Sequence, residues 1–529
     1  MLRSRKQPSS GNSNGSSTLH SSGSRNGHSS NNGNDLRGLR SKKSFIPKPL
    51  IGTLIVASIL CFILLLSGSL SNNNSSINGS SITHENHEQL RNTEIIQSSN
   101  VDDKAFKSAK NHTAATNSPT TGATLHTIFS TDCGTFQHWQ SYLFFHRAYT
   151  IQQPGYITRI ASGCTEQQMT YEKLWHQRHI SATMSDRFRI HFTPHFSGVK
   201  DETTGEIKGD YKYFNKPFGL KHFLENDELL GFEDSSNSNN NNEGKRMKHP
   251  NDIIILCDPD FALLKPITDD FSNANDTLVG PRRKAHFKQL TSHIVTHGQP
   301  YAQTYGLGTQ WRKFNLDEIA GVDSPAKEVS QKDGGMFYPA GPPYIGTAVD
   351  MYKIAVAWSE FAPRVHKEYP HLLAEMYAYC IAAAHLRLPH ILIDSLMISN
   401  PGINGEGWLH ITHIPPSETC SNPDDYTRPL PTLLHYCQRY KLDGYFWGKR
   451  KIPHEIFSCD HPLFEEPPME LGTGTGHTSK DRMNAFIICA MTRFVNDAMV
   501  FFKEGHCEGG GNRERKALVP FVDLRNKKG

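Results

Sequence analysis

Two aspartates separated by a proline stand directly after an all-apolar strand pattern. Asp258-Pro259-Asp260 follows the run IIILC at 253–257. Side chains at positions i and i+2 of an extended chain point in the same direction, so both carboxylates can face one divalent cation at the carboxyl end of a buried strand. Mn²⁺ and Mg²⁺ share oxygen ligands with phosphates. The triplet therefore predicts a Mn²⁺ or Mg²⁺ site that neutralises a departing diphosphate in catalysis, although an Asp-Pro pair also starts ordinary turns.

Three further residues stand out because they interrupt apolar segments. His435 follows the apolar pair LL at 433–434, which favours either a third metal ligand or a buried core histidine. Glu375 lies in the helix pattern LLAEMYAYCIAAA, and Asp394 lies in the strand pattern HILIDSL. Burying an acid is costly unless it is paired, so each acid either forms a structural pair or takes part in chemistry. We predict a catalytic role for both.

Strand and helix patterns alternate from Thr124 onward and must position these groups. The alternation begins with TLHTIFST, HWQSYLFFHRAYTI and GYITRIASG, and it continues to HILIDSLMIS. This pattern predicts a Rossmann-like α/β domain with a mainly parallel sheet over residues 123–470. Residues 234–249 read as a polar insertion before a strand, so they should emerge opposite the edge of the sheet where such folds bind ligands.

The C-terminal segment, residues 471–529, has a different pattern. A Gly-rich hinge, GTGTG, precedes apolar residues spaced as on one helix face between Met483 and Phe502, and a polar tail follows. We expect an amphipathic helix that packs on the domain, with a second membrane contact as the alternative.

Composition excludes several classes of protein. The chain has 529 residues, 36% of them hydrophobic, with 56 Lys and Arg against 52 Asp and Glu. A core of useful size can form, and the charge balance argues against a nucleic-acid partner.

One apolar segment predicts a membrane anchor. Residues 50–70 are free of charge and follow the basic, low-complexity residues 1–49. A helix of that length crosses a bilayer, and the basic flank faces the cytosol. We therefore expect a disordered cytosolic tail at 1–49, a transmembrane signal anchor at 50–70 and a disordered luminal stem at 71–122. A cleaved signal peptide is the competing interpretation. The expected location is the Golgi membrane as a single-pass type II protein, with the endoplasmic reticulum as the alternative.

Cysteines and glycosylation sequons agree with a luminal domain. Nine cysteines follow the predicted anchor and none forms a CxxC pair, which favours disulfides over a zinc site. An odd number leaves at least one thiol unpaired, and we expect it to be Cys257 because that residue lies within an apolar strand. Five Asn-x-Ser/Thr sequons, including the one at Asn275, point the same way.

Several motifs resemble a known family. The chain is similar to the plant and algal hydroxyproline O-arabinosyltransferases and the related peptidyl-serine α-galactosyltransferases in the segments HTIFSTDCGTFQHWQS, PGYITRIASG, FNKPFGL, ILCDPDFALLKPI, GPPYIGTAVDMYKIAVAWSEFAP, LLAEMYAYCIAAAHLRLPHILIDSLMIS and LLHYCQRYKL. The resemblance implies a GT-A-like fold, a UDP-sugar donor and transfer of a glycosyl residue to a peptide hydroxyl. Many plant members carry Glu-Pro-Asp at the acidic triplet, whereas this chain carries Asp-Pro-Asp, as in the galactosyl branch.

Within such a fold, further residues are assigned to the nucleotide-sugar. The end of the first strand is where ribose or uracil would sit, with an ordinary turn as the alternative. Basic side chains would contact the diphosphate, although the trio at 449–451 could equally be a solvated loop. The predicted nucleotide-sugar residues are Ser130, Thr131, Asp132, Arg159, Asn215, Lys216 and Lys449. Glu375 is placed near the acceptor hydroxyl or the donor sugar, and the sequence leaves retention or inversion at the anomeric carbon open.

The expected function is that of a glycosyltransferase. It would move arabinose or galactose from a UDP-sugar to hydroxyproline or serine of a secretory-pathway protein, with metal-assisted departure of UDP. The alternative from another class is a catalytically inactive luminal module that binds glycopeptides. A glycosidase is poorly matched, because its two carboxylates would stand about 5–10 Å apart across a cleft.

Overall fold

The computed structural model describes residues 122–201, 203–233 and 246–518. The predicted tail at 1–49 and anchor at 50–70 lie outside these ranges, as does the predicted stem apart from Gly122. Residues 234–245 of the predicted polar insertion, 234–249, also lie outside them. Within its described end, Met247 is buried and pairs with Phe232 in an antiparallel bridge.

A seven-stranded mixed sheet forms the centre of the described chain. Its order is β10-β8-β9-β6-β1-β2-β3, and β9 runs antiparallel to both of its neighbours whereas the other pairs are parallel. The strands are β1 (Leu125–Asp132), β2 (Tyr156–Ser162), β3 (Phe188–Thr193), β6 (Ile253–Cys257), β8 (Tyr301–Thr304), β9 (Ala340–Thr347) and β10 (Ile391–Ile393). The predicted α/β fold is confirmed, with the antiparallel β9 as an addition that the sequence pattern did not indicate.

Smaller sheets flank this centre. One has the order β11-β12-β7, and three others are two-stranded. Their strands are β4 (Gly198–Lys200), β5 (Ile207–Asp210), β7 (Phe261–Leu263), β11 (Met397–Ile398), β12 (Leu433–His435), β13 (Arg439–Leu442), β14 (Tyr445–Gly448), β15 (Leu463–Phe464) and β16 (Arg515–Lys516).

Helices cover both faces of the central sheet. They are α1 (Thr135–Thr150), α2 (Glu166–His176), α3 (Asn215–Asn226), α4 (Lys284–Lys288), α5 (Leu316–Ala320), α6 (Gln331–Phe337), α7 (Ala348–Glu368), α8 (Ala374–His385), α9 (Trp408–Thr412) and α10 (Ser479–His506). Two apolar clusters result, one packed around α1 and α10 and the other around α3, α7 and α8.

Strand β6 shows why the triplet follows an uninterrupted apolar run. Ile253 and Ile255 belong to one cluster, whereas Ile254 and Leu256 belong to the other. Alternate side chains of a strand point to opposite faces, and here helices cover both faces, so no position tolerates a polar residue. The first polar side chain therefore follows the end of the strand, at Asp258.

The C-terminal helix α10 is part of the core. Thr478 caps its amino end and forms a capping box with Asp481. Within the described ranges it is the one helix long and apolar enough to cross a membrane, but 78% of its apolar window is buried in the domain. This burial supports the expected packing on the domain rather than a second membrane contact.

Three disulfides join six of the nine described cysteines: Cys133–Cys164, Cys420–Cys489 and Cys459–Cys507. Cys257 is free and fully buried, as expected, and Cys380 and Cys437 are free as well. Two of the disulfides involve the C-terminal segment, one of them through Cys489 in α10.

Acid is expected to destabilise this fold. Burial, with a smaller contribution from Arg147, lowers the pKa of His146 on α1 to about 3, and burial lowers that of His176 on α2 to about 4. The unfolded chain therefore binds more protons below pH 6.5, and stability falls as the pH drops from 6.5 towards 4. Each histidine should remove about 1.4 kcal/mol of unfolding free energy per pH unit.

Urea unfolding at pH 7, 6 and 5 measures this slope. His146→Gln should reduce it by nearly one proton. Equal slopes for the wild type and His146→Gln would contradict the prediction.

Candidate functional site

The acidic triplet connects β6 to the short strand β7. Strand β7 pairs antiparallel with β12, and this register sets His435 opposite Phe261. The histidine Nε2 therefore lies 3.2 Å from Asp260 Oδ1, with the edge of its ring towards the Phe261 ring. A pairing between strands distant in the sequence thus brings the predicted third ligand to the triplet.

Asp258, Asp260 and His435 fit a divalent cation. One donor atom from each lies within 4.8 Å of the others. Opposite ligands of Mg²⁺ stand about 4 Å apart, so little adjustment is needed to coordinate one ion. The Nδ1 atom of His435 is buried without a hydrogen-bond partner, and the Asp258 side chain retains 17% exposure through which a substrate oxygen could reach the ion. Two carboxylates and an imidazole suit Mn²⁺ as well as Mg²⁺.

Two lysines that the sequence assigned to the diphosphate contact these carboxylates. Lys216, in the first turn of α3, places its Nζ 2.7 Å from Asp258 Oδ1 and 2.7 Å from Glu375 Oε1. Lys449, directly after β14, places its Nζ 2.5 Å from Asp260 Oδ2. The structure therefore gathers both lysines, Glu375 and the metal ligands into one charged cluster.

The charges of this cluster shift its acid–base equilibria. Burial opposes ionisation of Asp260, but His435 and Lys449 outweigh it and hold the pKa of this carboxyl well below its ordinary range. Burial also disfavours the imidazolium, yet the neighbouring Cys437 sulfur and Asp260 raise the pKa of His435 well above its ordinary value. A shift in this direction favours the imidazolium form beside Asp260, and the Nε2 atom binds a cation only after its proton has left.

Lys216 forms the other ion pairs of the cluster, with Asp258 and Glu375. Burial opposes the ammonium, but Asp258 and Glu375 raise the pKa of Lys216 above its ordinary value. The Glu375 side chain is 2% exposed, and burial raises its pKa even against the attraction of Lys216. Glu375 touches a lysine at the centre of the cluster, so its buried position has a local explanation in pairing as well as the predicted catalytic one.

Tyr305, which the sequence analysis missed, lies beside the same cluster. Its phenol is close enough to His435 and Asp258 for their charges to influence it, and burial raises its pKa to about 12. A Cβ on Gly341 would come within 2.2 Å of the Tyr305 ring, so glycine is required for this close approach. The glycine within the PAGPPYIG segment does not by itself reveal which ring packs there.

Residues at the end of β1 lie at the same edge of the sheet as the triplet. Phe129 is in register with Cys257 in the parallel pair β1–β6, so Ser130 and Asp258 follow at equivalent positions. Ser130 Oγ donates to the Asn215 carbonyl at 3.4 Å, and Asp132 pairs with the exposed Lys212. Asp132 keeps an exposed surface at this edge, where the predicted ribose or uracil would lie.

Three residues that were predicted to contact the nucleotide-sugar form hydrogen bonds or ion pairs within the fold. Arg159 is 2% exposed because it pairs with Glu172 at 2.7 Å and donates to Thr131 Oγ1. Thr131 is equally buried and donates to the Ile160 carbonyl. Asn215 is buried and accepts the backbone N–H of Phe196. These side chains brace the strands and α3, and they do not present surface to a ligand.

Asp394 lies apart from the cluster. It follows β10, which is three strands from β6 in the sheet, a lateral distance of about 14 Å. The two strands are parallel, so Asp394 occupies the same edge as Asp258, and burial raises its pKa. This separation excludes direct contact of Asp394 with a cation at Asp258, and the predicted catalytic role of Asp394 stays a prediction.

The comparison with known proteins agrees with the resemblance inferred from the motifs. The chain combines a mixed α/β fold with two aspartates after β6 and a histidine at the end of β12, and it is similar in sequence to a plant glycosyltransferase. That relative is peptidyl serine alpha-galactosyltransferase from Arabidopsis thaliana, 23% identical over 361 residues. The predicted resemblance to this group is confirmed.

The extent of these matches is limited. The plant match covers 65% of this chain and 34% of the relative, so the chain spans about a third of the length of the curated relative it matches. No family model matches the chain. The apo structure of the bifunctional glycosyltransferase WbbM aligns with 73% of this chain and 60% of its own at 10% identity, and its TM-score of 0.29 is too low to define the fold.

Proposed function

We propose that this chain is a divalent-cation-dependent glycosyltransferase that moves a sugar from a UDP-sugar to a hydroxyl of a secretory-pathway protein. The observation that carries the proposal is the cluster of Asp258, Asp260 and His435 with two lysines at the carboxyl edge of the sheet. Cation ligands next to fixed positive charges suit a diphosphate leaving group. The similarity to a plant galactosyltransferase supports the same chemistry.

Each residue of the cluster has a role that follows from its position. Asp258, Asp260 and neutral His435 would hold Mn²⁺ or Mg²⁺, which supplies Lewis-acid neutralisation of the departing UDP. Lys216 and Lys449 add hydrogen-bond donors and positive charge for the diphosphate oxygens. Glu375 orients Lys216 and stands where the donor sugar or the acceptor hydroxyl would approach.

Galactose and serine are the substrates that we favour. The name of the plant relative contains both, and the Asp-Pro-Asp triplet is closer to the galactosyl branch of the resemblance. Arabinose and hydroxyproline are the alternative pair. The three disulfides support an oxidising compartment. Our proposal for the location keeps the prediction from the sequence, a luminal domain in the Golgi on a type II anchor at 50–70, with the endoplasmic reticulum as the alternative.

Removal of the metal tests this proposal. The purified full chain should release UDP from UDP-galactose when a serine peptide is present, and EDTA should lower the rate by about 100-fold or more, because metal neutralisation contributes several kcal/mol to such reactions. Added Mn²⁺ should restore the rate. UDP-arabinose and a hydroxyproline peptide form the comparison arms. Peptide binding without turnover of either donor would instead indicate a glycopeptide-binding module.

A further inference from the structure

The two carboxylates that would hold the cation are each contacted by a lysine ammonium group. Lys216 Nζ lies 2.7 Å from Asp258, and Lys449 Nζ lies 2.5 Å from Asp260. The lysine side chains are only 12% and 24% exposed, so these contacts are held in place by the fold rather than sampled from solvent. A cation bound by Asp258 and Asp260 must therefore share or take oxygens that the ammonium groups already use.

We propose that Lys216 and Lys449 couple cation binding to diphosphate binding. Without ligands, the two ammonium groups neutralise the carboxylates. A cation that binds alone competes with them for the carboxylate oxygens. When a cation and a diphosphate are both bound, the ammonium groups donate to the diphosphate oxygens instead. The cation and the nucleotide then each bind more tightly in the presence of the other. This inference rests on the proposed function and adds to it an account of how the two ligands depend on each other.

The balance of charge gives the physical reason. A divalent cation adds two positive charges to a cluster that already contains two ammonium groups, so a cation alone leaves positive charge in excess within a poorly solvated site. The diphosphate diester of a UDP-sugar adds two negative charges. The charges of the two ligands cancel each other, whereas either ligand alone adds two charges of one sign to the cluster.

The position of Glu375 makes Lys216 the better coupling residue. Lys216 contacts Glu375 at 2.7 Å as well as Asp258, so it keeps one carboxylate partner when a cation takes the other. It therefore stays within the cluster instead of moving into solvent. Lys449 follows β14 in a more exposed position and contacts Asp260.

Binding measurements on the full chain test the coupling without any measurement of transfer. Free Mn²⁺ is followed by electron paramagnetic resonance with and without UDP, for the wild type, Lys216→Met and Lys449→Met. In the wild type, UDP should tighten Mn²⁺ binding by a factor on the order of 5 to 150, the usual range for coupled sites. Each lysine variant should bind Mn²⁺ more tightly than the wild type when UDP is absent, and UDP more weakly when Mn²⁺ is saturating.

Lys208→Met provides the matched control, because Lys208 forms an exposed ion pair with Asp201 at 2.8 Å. It should leave both affinities unchanged. Weaker Mn²⁺ binding by the two site variants without UDP would show that the lysines hold the carboxylates in place rather than compete for them, and it would overturn the inference. An unaltered effect of UDP on Mn²⁺ binding in both variants would do the same.

Folding and function are separated within the same experiment. Circular dichroism checks that each variant is folded, and Lys449→Met, at the more exposed lysine, decides the outcome if Lys216→Met does not fold. A wild-type chain that binds neither Mn²⁺ nor UDP would contradict the proposed function itself. A wild-type chain that binds both without mutual tightening would contradict the coupling alone.

Discussion

Asp260→Asn is expected to lower sugar transfer by a factor on the order of a thousand, because several kcal/mol of charge stabilisation depend on the metal that this carboxylate would hold. An amide has no charge to offset the cation, and it leaves His435 and Lys449 without their shared partner. Asp258→Asn should act in the same direction through Lys216. The rate of UDP release with UDP-galactose and a serine peptide measures the loss.

The fold should survive these substitutions. His435 can lose its proton, and the Lys449 side chain is 24% exposed and can reach solvent. Thermal unfolding followed by circular dichroism should therefore remain close to that of the wild type, and Asp201→Asn, in an exposed ion pair, serves as a control for both assays. Full transfer by the Asp258→Asn, Asp260→Asn double variant would refute the metal site and the mechanism built on it.

Arg147→Met is expected to destabilise the domain by about 2–3 kcal/mol, because it removes charge-assisted hydrogen bonds and leaves a buried carbonyl without its donor. Arg147 is fully buried on α1, donates twice to the Leu263 carbonyl and forms two hydrogen bonds to Asp424. Its guanidinium also lies 3.7 Å above the Phe494 ring of α10. Methionine fills much of the space but leaves the carbonyl and the carboxylate without these donors.

Urea unfolding at pH 7 measures this loss. Arg428→Met is the matched control, because Arg428 pairs with Glu418 near the surface and such pairs contribute less than about 1 kcal/mol. The effect should also reach the candidate site, since Leu263 ends β7, the strand that pairs with β12 and so positions His435. Equal midpoints for Arg147→Met and Arg428→Met would show that the buried pair contributes nothing to stability.

The sequence predicted those parts of the site that depend on local pattern. An apolar strand with both faces covered must end before a polar side chain can appear, so Asp258 and Asp260 were recognisable from β6 alone. The motif around His435 left a metal ligand and a core histidine as alternatives. Its position beside Asp260 depends on the β7–β12 register, which joins segments far apart in the chain.

The sequence pattern could not predict the tertiary contacts of several side chains. Arg159 lies near the end of a strand and resembles a ligand contact, but its pairing with Glu172 on α2 depends on how that helix lies against the sheet. The contact between Lys216 and Glu375 requires α3 and α8 to meet, and the position of Tyr305 requires close packing against Gly341. These are tertiary contacts between segments that look independent in the sequence.

The pairing of cysteines in the last part of the chain has a consequence for biosynthesis. Cys420 and Cys459 lie on either side of the segment that carries His435 and Lys449, and their partners, Cys489 and Cys507, are made later. As the chain emerges from the ribosome, the strand before Asp258 is made early. The segment that carries His435 and Lys449 becomes disulfide-linked only after α10 and Cys507 have been made. A nascent chain arrested near residue 470 would thus contain Asp258 and Asp260, but the segment between Cys420 and Cys459 would still lack both of its disulfides.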